Sequence, residues 1–308
     1  MRKEFTFENQ DKLNIHVYKW MPERDIKGIV QIAHGMNETA LRYDYFARKL
    51  VEEGFVVYAN DHRGHGQSAL SIEELGYVSD DDGFHDMVED MKQLTDLIKQ
   101  DYPRTPILLF GHSMGSFLAQ RYIQLYNKDI TAVLLSGTNG KPKSLLNVGV
   151  ALSKSIMILK GRKANGKLLD HLMFGAYNNR FKPITTEFDW LTRDANQVQA
   201  YIDDPYCGNV FPVSFFYDLL RGLKTIHKQE NMKHTPLHLP MYFFGGSDDP
   251  VSEYGKGIVN LYETYQSVGV QSVTYKLYEG GRHEMLNEQN RDEVIQDLIS
   301  WIQQHVAI

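Results

Sequence analysis

A single cysteine, Cys207, stands in a chain of 308 residues, which excludes an internal disulfide framework and every multi-cysteine metal site. No chemistry-bearing pattern surrounds it, so it reads as a packed small residue. Long apolar runs are also missing. No segment approaches the roughly 20 apolar residues of a membrane span, and the opening MRKEFTFENQDKLNIHVYKW has no stretch of signal-peptide length. The expected location is the cytoplasm. The net charge of −6 comes with no basic block or Lys/Arg stripe, so nucleic acid is not an expected partner, and no feature points to an obligate protein partner. Glycine-rich phosphate loops, dinucleotide fingerprints and HExxH are absent. Among the twelve histidines, His62 and His65 lie in DHRGHGQS, while Pro236 keeps His234 and His238 from sharing an undistorted helix face. Asp80, Asp81 and Asp82 do not open a calcium loop, because position twelve counted from Asp80 is Met91; they are expected to cap the next helix. No metal or cofactor is expected.

What is present is an alternation of strand-like and helix-like patterns. Phe5 and Phe7, then Leu13, Ile15 and Val17, alternate with polar residues around a turn at ENQDK, which predicts an antiparallel edge hairpin. From Lys27 the runs GIVQIA, GFVVYA, PILLF, AVLLS and LPMYFF are unbroken and of strand length, as strands covered on both faces require. Phe84, Met87, Val88, Met91, Leu94, Leu97 and Ile98 form one helical stripe. Strand–helix alternation predicts the α/β class, with a mostly parallel central sheet and helices on both faces. The alternation lapses from about Thr138 to Thr235, where helix-like segments such as Leu145 to Leu159 and Val213 to His227 predict an inserted helical cap. The expected division is therefore core 1–137, cap 138–235 and core 236–308. The apolar cap helices read as ordinary packing.

The stretch ILLFGHSMGSFLAQ places Gly-x-Ser-x-Gly between a strand and a helix. The five-residue pattern alone is short enough for chance to supply; its setting is what a nucleophile elbow needs, with Ser113 exposed above the sheet. Gly111 and Gly115 are small because the turn brings backbone close to backbone. A serine hydroxyl needs a base and a carboxylate that orients it, following in the order acid, then histidine. SDDPVS after LPMYFFGG offers Asp248 or Asp249, and EGGRHE after SVTYKLY offers His283, both where strands end. Acyl transfer also needs oxyanion donors, which GIVQIAHGMNE supplies through the N–H of Met36 and the elbow through the N–H of Met114. The cap, rich in Leu, Phe, Tyr and Met, is expected to form an apolar acyl pocket.

With these residues in place the chain resembles the α/β-hydrolase superfamily, and within it the monoacylglycerol lipase and lysophospholipase-like serine hydrolases of bacterial, serine aminopeptidase S33-like type. The matching segments are HGMNE with Arg42-Tyr43, DHRGHGQS, GHSMGS, GGSDDPVS and EGGRHEMLNE. The resemblance implies an α/β-hydrolase fold, an ester-cleaving serine enzyme acting on lipid monoesters, and Asp249 rather than Asp248 as the acid. It also implies that Glu38 and Arg42 lie near the substrate head group; transient membrane-surface contact through the apolar cap helices is the alternative to their ordinary packing. Two positions depart from the family: Thr39 and Leu286 stand where monoacylglycerol lipases commonly carry histidine and the animal enzyme carries histidine, respectively. The same triad also serves generalist carboxylesterases, thioesterases, peptidases and acyltransferases, and a non-catalytic binder on this scaffold is the remote alternative.

Overall fold

The computed structural model describes residues 1–23, 25–140 and 145–306. The N-terminal hairpin is β1 (Arg2–Glu8) and β2 (Asn14–Trp20), with Phe5 opposite Val17 and Phe7 opposite Ile15. The unbroken runs are β3 (Gly28–Ala33), β4 (Phe55–Asn60), β5 (Ile107–His112), β6 (Ala132–Ser136) and β7 (Met241–Gly246); the alternating run is β8 (Val273–Tyr278). They form one eight-stranded sheet in the order β1-β2-β4-β3-β5-β6-β7-β8, parallel from β4 onward. This is the α/β-hydrolase fold.

Every residue of β3 to β7 is buried, because helices cover both faces. Side chains alternate between two cores. Val30, Ile32, Leu108 and Phe110 pack on α1 (Asp44–Glu52) and α10 (Arg291–His305). Ile29, Ala33 and Leu109 pack on α2 (Gly83–Asp101), α3 (Met114–Tyr126) and α9 (Lys256–Ser267). The polar Gln31 lies in the middle of β3; its amide nitrogen donates to the Met91 carbonyl and its amide oxygen accepts from Thr95, so its burial leaves no orphan. As expected, an aspartate caps α2: Asp82 accepts the His85 N–H at 3.3 Å.

Between β6 and β7 the described residues carry helices: α4 (Leu145–Lys160), α5 (Lys167–Phe174), α6 (Ala195–Asp203), α7 (Val213–Ile226) and the short α8 (Gln229–Met232). The packing expectation holds for α7, which lies against α2, α3 and α4 and buries Phe215 and Phe216. It fails for α4. Only Ser153 of α4 is buried, while Leu145, Val148, Ile158 and Leu159 are exposed. The physical reason is its place in the fold: α4 packs chiefly on α7, so most of its circumference faces outward. No helix among the described residues is long and apolar enough to cross a membrane.

Candidate active site

Ser113 sits between β5 and α3 with φ 50° and ψ −120°, a conformation that L-residues adopt only when their surroundings enforce it. The two glycines make that turn feasible. A Cβ on Gly115 would stand 2.0 Å from the Ala33 carbonyl oxygen, and one on Gly111 would stand 2.5 Å from that of Gly115. The Ser113 N–H donates to the Ser136 carbonyl at 2.9 Å, anchoring the elbow to the end of β6. Ser113 is partly exposed although its neighbours are buried. Met114 is the first residue of α3, so its N–H has no intrahelical acceptor and lies at the positive end of the helix.

Of the two aspartates after β7, Asp248 is exposed and Asp249 is buried with Oδ1 3.0 Å from the Nδ1 of His283. The same Oδ1 accepts the Val251 N–H at 2.9 Å. Burial by itself lowers the pKa of His283, but the adjacent Asp249 carboxylate outweighs it and the net shift is upward. The histidine approaches the elbow across Gly137: a Cβ there would lie 2.8 Å from the His283 Cε1 and 3.1 Å from the His112 Cε1. From the segment between β6 and β7 the Trp190 ring lies 5.1 Å from His283, backed by Tyr177 and Phe174.

The segment after β3 packs directly on the elbow, since a Cβ on Gly35 would be 3.2 Å from the Ser113 Cβ. Both sides of Gly35 are held. Its N–H donates to Glu38 Oε1 at 2.5 Å, and its carbonyl lies 2.7 Å from the His34 Nδ1, while His34 Nε2 accepts the His62 N–H at 2.9 Å. Met36 follows and is partly exposed. Asn37, at φ 64°, is held by the segment between β6 and β7: its carbonyl accepts the Tyr201 hydroxyl at 2.9 Å and its amide oxygen accepts the Asn209 N–H at 2.8 Å.

Glu38 and Arg42 lie together in a buried ion cluster. Arg42 donates to Glu38 at 2.7 Å and, through both terminal nitrogens, to Glu284 at 2.6 Å each. Tyr43 donates to Glu38 at 2.8 Å. Burial alone would raise the Glu284 pKa, but Arg42 outweighs it and draws it down to about 2. The gap left among Glu38, Arg42, Tyr43, His112, Glu284 and Leu286 is about 10 Å³, room for about one water. A larger cavity of about 560 Å³, lined in part by Arg180, Phe181, Asp189 and Arg282, includes none of Ser113, Asp249 or His283.

His62 and His65 turn inward against His34, with ring centroids 4.3 and 5.2 Å from it. Among the described residues no group of three or more His, Cys, Asp or Glu side chains is arranged to hold a metal ion. Cys207 is buried beside Leu191 and Tyr201, and burial pushes its thiol pKa up, away from nucleophilic use. The sequence reading missed His34, Tyr201, Asn209, Trp190 and Glu284. Only His34 and Glu284 carried a signal, as neighbours of Gly35 and His283; Trp190, Tyr201 and Asn209 reach the site through tertiary contacts that no local pattern encodes.

Fold and elbow together define an α/β hydrolase. The chain belongs to the Hydrolase_4 family (serine aminopeptidase, S33), whose profile matches residues 24–290. It is 29% identical over 306 residues to the monoacylglycerol lipase of Mycolicibacterium smegmatis, covering 99% of this chain and 98% of that one. It is 30% identical over 305 residues to the monoglyceride lipase of Mus musculus, covering 97% and 90%. Among solved structures, a thermostable carboxyl esterase from Bacillus coagulans in complex with glycerol superposes with a TM-score of 0.92 at 29% identity, over 99% of both chains.

Proposed function

We propose that this carboxylic ester hydrolase cleaves lipid monoesters of the monoacylglycerol or lysophospholipid kind through a Ser113–His283–Asp249 triad. The observation that carries the reading is the buried Asp249–His283 pair, 3.0 Å apart, beside a serine strained at φ 50°. Ser113 Oγ attacks the ester carbonyl as His283 accepts its proton, and Asp249 holds the imidazole in the tautomer that leaves the other nitrogen free to act. The carbonyl oxygen gains the charge, which the N–H groups of Met36 and Met114 receive. His283 then returns the proton to the leaving alcohol, and water activated by the same histidine releases the acid from the acyl-enzyme.

The substrate class rests on the near full-length likeness to monoglyceride lipases and on the glycerol complex of the structural relative. Transient contact with lipid surfaces is supported by the exposed apolar side chains of α4 and by Leu168 and Leu172 of α5. Glu38 and Arg42 spend their polar atoms on one another and on Gly35, Tyr43 and Glu284, so we assign them to shaping the site rather than to gripping a head group. The test is turnover of monoacylglycerols and lysophospholipids in a chain-length series, with p-nitrophenyl esters, acyl thioesters and aminoacyl amides alongside. Ser113→Ala should lose several orders of magnitude in kcat and all fluorophosphonate labelling. Wild-type turnover by Ser113→Ala would remove the triad reading, and a flat response to acyl chain would remove the lipid preference.

A further inference from the structure

Three loops must hold a common geometry for this chemistry: the elbow, the oxyanion segment and the histidine loop. The first two touch directly, through Gly35 and Ser113. The third is joined to the second by charge. Glu284 follows His283 and makes a two-pronged bond to Arg42; Arg42 also binds Glu38; Glu38 accepts the N–H of Gly35. Asn287 donates to Glu284 at 2.9 Å, and the Glu284 N–H donates to the Leu191 carbonyl at 2.7 Å, so the relay has little freedom at the histidine end. Tyr201 covers the Arg42 guanidinium from the cap at 4.8 Å.

We propose that Glu284 is a positioning residue which, through Arg42 and Glu38, locks the His283 loop to the oxyanion segment so that base and oxyanion donors move as one unit. The proposal rests on the serine-hydrolase reading above. Its chemistry has two parts. A bidentate carboxylate–guanidinium pair fixes direction as well as distance, which a single lysine contact does not. The cluster also holds two carboxylates against one guanidinium in a largely buried site, leaving one excess negative charge. That charge favours the imidazolium that His283 becomes in each half-reaction.

The charged and titratable groups around His283 are Asp249 from the β7 loop, Glu284 beside it, Glu38 and Arg42 from the oxyanion segment, His112 from the end of β5 and, behind Trp190, Tyr177, whose hydroxyl is pushed up by burial and by Asp249 and so stays neutral. Burial holds His112 down at about 4, so it stays neutral through the working range. Glu284 and Glu38 both push the His283 pKa upward, behind Asp249.

The experiment is steady-state kinetics on a p-nitrophenyl ester across pH, with folded enzyme counted by circular dichroism and active sites by fluorophosphonate titration. Glu284→Gln is expected to lower kcat roughly 10- to 100-fold with little change in KM, the scale of a small misplacement of catalytic groups. It should also move the acidic limb of kcat/KM to lower pH. Glu284→Asp keeps the charge, so its acidic limb should stay near wild type while kcat is only partly restored. Arg42→Gln combined with Glu284→Gln should be no worse than the poorer single variant, because both break one relay. Wild-type kcat and an unmoved acidic limb in Glu284→Gln would overturn the proposal, as would losses that multiply in the double variant. If Glu284→Gln fails to fold, Glu284→Asp and Arg42→Lys decide: unchanged kcat in both overturns it. Ser113→Ala separates the failures, since turnover retained there removes the serine mechanism, whereas turnover abolished there with wild-type kinetics in Glu284→Gln removes only the relay.

Discussion

The Nδ1–H of His34 donates to the carbonyl oxygen of Gly35 across 2.7 Å. The tautomer is assigned by the other ring nitrogen, which accepts the His62 N–H at 2.9 Å and so carries no proton. In a planar trans peptide the carbonyl of Gly35 and the N–H of Met36 point in opposite directions, so holding one aims the other. His34 thereby orients the proposed oxyanion donor without touching substrate. His34→Gln should lower kcat by roughly 10-fold or more, less than the loss of a whole oxyanion donor, with KM little changed. Equal kcat in the variant and the wild type would show that the peptide is held by other contacts.

The Asp249–His283 pair makes a separable prediction. Asp249→Asn preserves shape and reverses the hydrogen bond, favouring the wrong imidazole tautomer, and in a comparable triad that change costs about 10⁴ in kcat. It also removes the largest influence that raises His283, so the acidic limb of kcat/KM should move to lower pH. A pH–rate series on both proteins reads the two effects. Substituting the exposed Asp248 in the same way should leave both parameters near wild type.

Most of the sheet was legible in the sequence because its strands are buried on both faces. That burial demands unbroken apolar runs such as Phe55–Ala59 and Ile107–Phe110, bounded by turns. Ser113 was legible for a similar reason, since its strand, turn and helix are contiguous. The choice of Asp249 over Asp248 was not a matter of local pattern; one residue along a loop reverses which carboxylate is buried, and only the resemblance chose between them. The exposed face of α4 escaped the reading because an apolar helix has the same pattern whether its partner surrounds it or covers one side. The Arg42–Glu284 pair joins residues 242 positions apart, and no periodicity carries such a contact.

The glycines of the elbow differ from a glycine in the cap, and the contrast is measurable. Gly115→Ala would press a Cβ against the Ala33 carbonyl at 2.0 Å, backbone against backbone, so the β3–α3 contact must open. A cost of about 1–3 kcal/mol or more is expected, with loss of Ser113 labelling. Gly149, inside α4, meets only the flexible Leu220 side chain at 3.1 Å. Its replacement by alanine should be neutral or stabilising by up to about 1 kcal/mol, because glycine is a poor helix former. Thermal melts of the two variants that shifted equally would contradict the packing described around the elbow.

Acid should destabilise the fold before it titrates the exposed surface. Burial lowers His34 and His112 to about 4 and His65 to about 3, and holds His62 well below its ordinary value, against roughly 6.5 in the unfolded chain. Between about pH 6.5 and 4 the unfolded state therefore binds up to four protons that the folded state refuses, and stability rises with pH. Buried carboxyls oppose this: burial raises Asp61 to about 7 and Asp218 to about 6, so near pH 5 these two hold protons in the folded state that the unfolded state has lost, and Asp90 and Asp170 are raised in the same direction while His16 is lowered with the other histidines. Among His34, His62, His65, His112, Asp61 and Asp218 the histidines win by about two protons, a slope on the order of 2–3 kcal/mol per pH unit near pH 5. His65 isolates one of them, since its Nε2 has no partner among the described residues and its ring packs on Phe211 at 5.0 Å. In urea unfolding followed from pH 7 to pH 5, His65→Phe should flatten that slope by about 1 kcal/mol per pH unit on average, approaching about 1.4 at the acidic end, whatever it does to absolute stability. A wild-type stability that is level across the range, or a slope unaltered in the variant, would mean that these histidines already carry protons in the folded protein.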